Sequence, residues 1–153
     1  MVFREPPLPP PIPNPKDVLG SMKLPLSLVP QTAIAQCALA LLDGALKYGR
    51  WNWRPPGPPI RVSVYLDACR RHLAKFEGGI EMDPDSGRPH LAHALATLVI
   101  LIDAIACRNF IDDRPPDAVD LEAMFAELTP EVARLIERHK DKHPHHYTIE
   151  DKP

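Results

Sequence analysis

The chain lacks most of what marks a secreted, membrane-bound or nucleic-acid-binding protein. Neither sign of charge dominates: 18 Lys and Arg stand against 20 Asp and Glu, a formal net charge of -2. A general nucleic-acid binder would carry a basic footprint, and none is present. Cysteine is scarce, with Cys37, Cys69 and Cys107 far apart in apolar stretches. A disulfide framework needs an even, dense set, so buried thiols in a reducing cytosol are expected. No basic segment precedes an apolar run near the N-terminus, so no signal peptide is expected. The longest apolar stretch, 94–107, carries Asp103 and is too short to span a bilayer. Sustained period-two alternation and Gly-rich hairpin signals are missing, which leaves sheet architectures without support. There is no Gly-rich phosphate loop, no Cys-x-x-Cys pair and no nucleophile elbow. The expectation is a soluble cytoplasmic protein, with no membrane association and no general nucleic-acid binding.

What is abundant is proline, 20 of 153 residues against a usual share of about 5%. The length argues for one domain able to bury roughly two-thirds of its unfolded surface. Proline concentrates in residues 1–15, read as a polyproline-like arm, either a leader or a strap on a neighbouring subunit. Residues 16–139 form the expected helical domain, and 140–153 a polar, His-rich, frayed tail. Residues 16–30 read as an irregular lead-in. Helical spacing predicts a first helix over 31–47, closed by Gly49 and the breaker 55–59, and a second over 63–76. An acidic loop, 80–88, leads to a third helix over 89–108. That helix is apolar nearly all round from Ala94 to Ala106 and is expected at the centre of the fold. Two short helices follow, about 118–126 and 130–139. The class is all-α, a small helical bundle.

Two constellations could carry chemistry. His90 and His93 stand three apart on the third helix, just after Asp83 and Asp85, with Asp67 and His72 on the second. Imidazoles and carboxylates so placed can bind a divalent metal. They also suit a plainer arrangement, with His90 packing the helix start and the carboxylates facing solvent near the positive helix end. The run Lys47-Tyr48-Gly49-Arg50-Trp51-Asn52-Trp53-Arg54 gathers cations for phosphate, aromatic faces for a base and an amide for base edges. The same run could simply be a turn whose tryptophans plug the bundle end. His139, His143, His145 and His146 could take up transition metals in vitro.

Several short strings carry a resemblance. These are Asn14-Pro15-Lys16-Asp17, Gly44-Ala45-Leu46-Lys47-Tyr48-Gly49 with Asn52-Trp53-Arg54, and Tyr65-Leu66-Asp67-Ala68 with Arg71-His72. Asp83-Pro84-Asp85-Ser86-Gly87 with His90-Leu91 and His93, and Ile111-Asp112-Asp113-Arg114-Pro115, complete the series. In this order they resemble the phage dATP/dGTP diphosphohydrolase N-terminal domain family, itself similar to the all-α MazG-like nucleotide pyrophosphohydrolases. The resemblance covers about residues 14–115.

It implies a metal-dependent pyrophosphohydrolase that converts dATP or dGTP to monophosphate and pyrophosphate, with Mg²⁺ or Mn²⁺ as cofactor. It also implies a homo-oligomer in the cytoplasm, the host's if the chain is phage-encoded. Asp67, Glu81, His90 and His93 are the expected catalytic residues, and Asp83, Asp85, His90 and His93 the expected metal ligands. Lys47, Tyr48, Asn52, Trp53 and Arg54 are expected to bind nucleotide, with Arg71 and His72 as a phosphate clamp. Two features depart from the pattern: His90 and His93 stand where MazG-like chains have acidic residues, favouring Mn²⁺ or a similar ion, and Gly79 is followed by Ile80 rather than by an acid. The alternative is a non-catalytic phage sponge that sequesters a nucleotide immune signal.

Overall fold

The computed structural model describes residues 14–116 and 119–151; most of the Pro-rich arm and the expected helix start at Ala118 lie outside the described residues. The fold is all-α, with five α-helices, one 3-10 turn and one two-residue strand pair among the described residues. The chain divides into two compact units between Ala35 and Gln36.

In the first unit, residues expected to be irregular form helix α1, Pro15–Ser21. Asn14 caps it, accepting from the Lys16 amide at 2.9 Å, and Pro15 takes a first-turn position where its missing N–H costs nothing. The capping signal was present in the sequence, but the following Pro25 and Pro30 masked it. A 3-10 turn follows at Leu26–Leu28, and helix α2, Gln31–Tyr48, starts in this unit.

The second unit holds the rest of α2, then strand β1 (Ile60–Arg61), α3 (Val62–Glu77), α4 (His90–Ala106), strand β2 (Phe110–Ile111) and α5 (Leu121–Arg138). The strand pair is parallel, with Ile60 opposite Phe110. Period-two patterning could not reveal it, because two residues are too few to alternate. Where two short helices were expected around Pro130, one continuous helix runs through it. Its Asp120 cap and strongly amphipathic sequence sustain it, although an interior proline removes one ladder bond.

Alanine sets the packing. Ala92 and Ala96 of α4 meet Cys37 and Ala40 of α2 in one buried cluster. Trp53, Ile60, Val62, Leu101 and Ala104 form the other. Side chains this short let helices approach closely, and dense packing follows. Helix α4 carries six buried residues, yet its apolar surface is not wholly covered: Leu91, Leu95, Leu98, Ile102 and Ile105 are exposed, because within one chain the alanine-rich face finds partners and this one does not. Cys37 and Cys69 are buried free thiols and Cys107 is half-buried; burial pushes the Cys37 thiol pKa up. Among the described residues no helix is long and apolar enough to cross a membrane. The tail up to residue 151 carries no helix; Asp151 ties it locally to His145 and Thr148.

Candidate functional site

A cleft of ≈ 470 Å³ opens between α2, α3 and α4, within the size range of small-molecule sites. Each helix contributes one face. From α2 come Asp43 and Lys47, joined at 2.7 Å, followed by Tyr48. From α3 come Tyr65, Arg71, His72 and Lys75, and from α4 His93, Ala96 and Thr97. Arg71 and Lys75 lie four residues apart, one turn up the same face. Asp83 and Asp85 line it from the acidic loop, and Asn52 and Trp53 from the loop after α2.

That loop is fixed from α4 and the segment after it. Asp103 accepts from the indole Nε1 of Trp53 at 2.6 Å and from Arg54 Nε and Nη2, both at 2.7 Å. Asn109 Nδ2 donates to the carbonyls of Trp53 and Gly57, at 2.8 and 3.1 Å. Gly57 is obligatory for space: a Cβ there would lie 2.2 Å from the Asn52 carbonyl oxygen. Trp51 at the loop tip has φ +59°, its ring under the Arg54 guanidinium at 4.6 Å. On the far side, Asp113 accepts from the Ser63 amide and hydroxyl at 2.9 and 2.7 Å, anchoring the start of α3.

The acidic loop folds back on itself. Met82 bridges Pro89, the Asp83 amide donates to the Arg88 carbonyl at 2.8 Å, and Gly87 supplies φ +64°. Ser86 is its hub. Its hydroxyl donates to Asp83 Oδ2 at 2.9 Å, accepts from the Arg88 amide at 3.2 Å and lies 2.6 Å from His93 Nε2. Ser86 thereby links the Asp83 carboxylate to the His93 imidazole. Burial opposes charge on Asp83, but hydrogen bonds from the Ser86 hydroxyl and amide outweigh it and hold the carboxyl below its ordinary range.

His72 stacks on His93, centroids 4.9 Å apart, and meets His90 Nδ1 with its own Nδ1 at 2.9 Å. Burial first, then the neighbouring His93 and His90, lower the His72 pKa and favour its neutral form. His90 is wholly buried, its Nε2 without a partner among the described residues.

The structure brings Lys47, Tyr48, Asn52, Trp53, Arg71 and His72 to the cleft, with Asp83, Asp85 and His93. Four expected site residues stand elsewhere. Asp67 points from α3 toward Arg70 at 3.3 Å. Glu81 is exposed, and it is its carbonyl that engages the His90 amide, at 2.8 Å. His90 is sealed beneath His72, and Arg54 is committed to Asp103. Sequence reading missed Asp43, Tyr65, Lys75, Thr97 and Ser86. Lys75 could have been found as the residue one helical turn beyond Arg71.

Among the described residues no group of three or more His, Cys, Asp or Glu side chains converges as a metal cage. The carboxylates that could hold an ion in the cleft are two. Mg²⁺ usually takes one or two carboxylates and fills its shell with phosphate oxygens and water, and Asp83 and Asp85 both face the cleft.

The described residues thus form an all-α domain that gathers cations, aromatic rings and carboxylates around a cleft of small-molecule size. The profile of the family described as dATP/dGTP diphosphohydrolase, N-terminal, matches residues 13–114, and the chain belongs to that family. A relative named dATP/dGTP diphosphohydrolase, from Salmonella phage PMBT28, is 34% identical over 92 residues, 60% of this chain. The match spans only 30% of that relative's length. No solved structure matches the chain.

Proposed function

We propose that the cleft binds a purine deoxynucleoside triphosphate and hydrolyses it to monophosphate and pyrophosphate in a metal-dependent reaction. The observation that carries this is the make-up of one cleft: Arg71 and Lys75 from α3, Asp83 and His93 linked through Ser86, and the rings of Tyr48, Trp53 and Tyr65. The name of the phage relative agrees with it. Tyr48, Asn52 and the edge of Trp53 would take the base, and Arg71 the phosphates. Asp83, kept ionised by Ser86, and His93 would orient the attacking water and accept its proton. Asp83 and Asp85 would hold the Mg²⁺ or Mn²⁺ that neutralises phosphate charge when bound. The test is to incubate purified protein with dATP, dGTP, dCTP and dTTP and measure pyrophosphate. The expected result is release from the purine substrates with Mg²⁺ or Mn²⁺ and none in EDTA.

The sealed position of His90 favours a second reading, because only one of the two α4 histidines reaches the cleft. On that reading the cleft binds a nucleotide signal and holds it without turnover. Tight nucleotide binding with no pyrophosphate under any divalent ion would establish the sponge and overturn the hydrolase.

We also propose a homo-oligomer built on α4 and α5. The exposed residues Leu91, Leu95, Leu98, Ile102 and Ile105 of α4 follow a 4-3-4-3 spacing, the seam of a coiled coil. Leu121, Phe125, Leu128, Val132 and Leu135 repeat it on α5, which buries none of its residues. Together these stripes expose on the order of 1,000 Å² per copy, against about 800 Å² per partner in a standard stable interface. A second copy, bringing the same two stripes, is the proposed occupant.

A further inference from the structure

Two cations of the cleft remain once its ion pairs are drawn. Lys47 is held by Asp43 at 2.7 Å. Arg71 and Lys75 line the cleft but form no ion pair among the described residues. They stand one turn apart on α3, with Cβ atoms about 5–6 Å from each other. Between them in sequence is His72, whose neutral form is favoured by burial and its two histidine neighbours, so the pair is not extended by a third positive charge.

We infer that Arg71 and Lys75 form a two-point rail for linked phosphates, so that the site selects by phosphate number. A single phosphate satisfies one cation and leaves the other unmatched. A triphosphate spreads its charge over two or more groups and engages both. The consequence for turnover is weak retention of the monophosphate product. The inference rests on reading the cleft as a nucleotide site and adds Lys75 as a specificity-determining residue.

The test uses the full chain and titrates inorganic triphosphate, pyrophosphate and orthophosphate by calorimetry without divalent ions. It compares the parent with Lys75→Gln, Arg71→Gln and Lys142→Gln, the last removing one charge from a residue that does not line the cleft. The expected result is a triphosphate affinity above that for orthophosphate. Lys75→Gln should lower triphosphate affinity about tenfold while barely changing orthophosphate, and Lys142→Gln should change neither. Equal weakening of all three anions by Lys75→Gln, or equal effects of Lys75→Gln and Lys142→Gln, would overturn the rail. Because inorganic triphosphate has no base, the outcome separates from the proposed activity. A parent that never releases pyrophosphate from dNTPs but keeps the phosphate-number preference loses the hydrolase reading alone. A parent that hydrolyses dNTPs but shows no preference loses the rail alone.

Discussion

Arg54 grips Asp103 across 49 residues of sequence in a two-pronged pair, its Nε and Nη2 each 2.7 Å from a different carboxylate oxygen. The same carboxylate takes the indole proton of Trp53, so one α4 side chain positions the loop that carries Asn52 to the cleft.

Removing that acceptor should loosen the loop. Asp103→Ala leaves the buried Trp53 N–H without its partner, at about 1–3 kcal/mol, and should lower the thermal midpoint and weaken nucleotide binding together. The Arg54 hydrogen bonds, followed by that from Trp53, hold the Asp103 carboxyl below its ordinary 3.8. This stabilisation is full above that value and is lost as acid drives pH through the lower folded value. Melting curves of the parent should therefore fall more steeply below pH 3.8 than those of Asp103→Asn, and parallel curves would refute the linkage.

The two α4 histidines should separate by phenotype. His93→Ala is expected to reduce turnover about 100-fold or more with the fold intact. His90→Ala empties a fully buried position and should cost about 2–4 kcal/mol of stability. Urea melts and pyrophosphate release, measured on both variants, decide it; a stable His90→Ala would show the pocket collapses around the loss.

Gly57→Ala is expected to destabilise by about 1–3 kcal/mol, the usual cost of overpacking, because the new methyl meets backbone oxygens of Asn52 and Arg54. Gly44→Ala, where a Cβ meets nothing within 4 Å, should raise helix stability by up to about 1 kcal/mol. Denaturation midpoints of the two variants should move in opposite directions.

Ile102 is 69% exposed on the outer face of α4. If that stripe joins two copies, Ile102→Glu should yield monomers by light scattering at concentrations where the parent is a dimer or larger. An unchanged mass would place the interface elsewhere.

Much of this architecture was legible from residue order. The helical spacing of Ile34, Ala38, Leu41 and Leu42 gave α2, and the unbroken apolar run gave α4, each within a few residues of its bounds. The cleft was half legible. Residue type pointed to Lys47, Asn52, Asp83 and His93, but type says nothing about which way a helix turns its faces. Asp67 and Arg71 lie four apart on α3, yet Arg71 faces the cleft and Asp67 pairs with Arg70. His90 and His93, three apart, diverge because His72 inserts between them, close to both rings. The Asp103–Arg54 pair and the Asn109 stitch span about fifty residues, and local periodicity carries no trace of contacts at that range.

The short side chains between α2 and α4 bear on ligand size. Cys37 and Ala92 pack against Ala40 and Ala96, which line the cleft, and the four act as spacers that fix the distance between its α2 and α4 walls. The gauge of the opening is thus set partly at Cys37 and Ala92, which do not line it. Enlarging Ala92 would pry these walls apart without altering any side chain that lines the cleft, so the accepted ligand would change in bulk while the lining chemistry stayed the same.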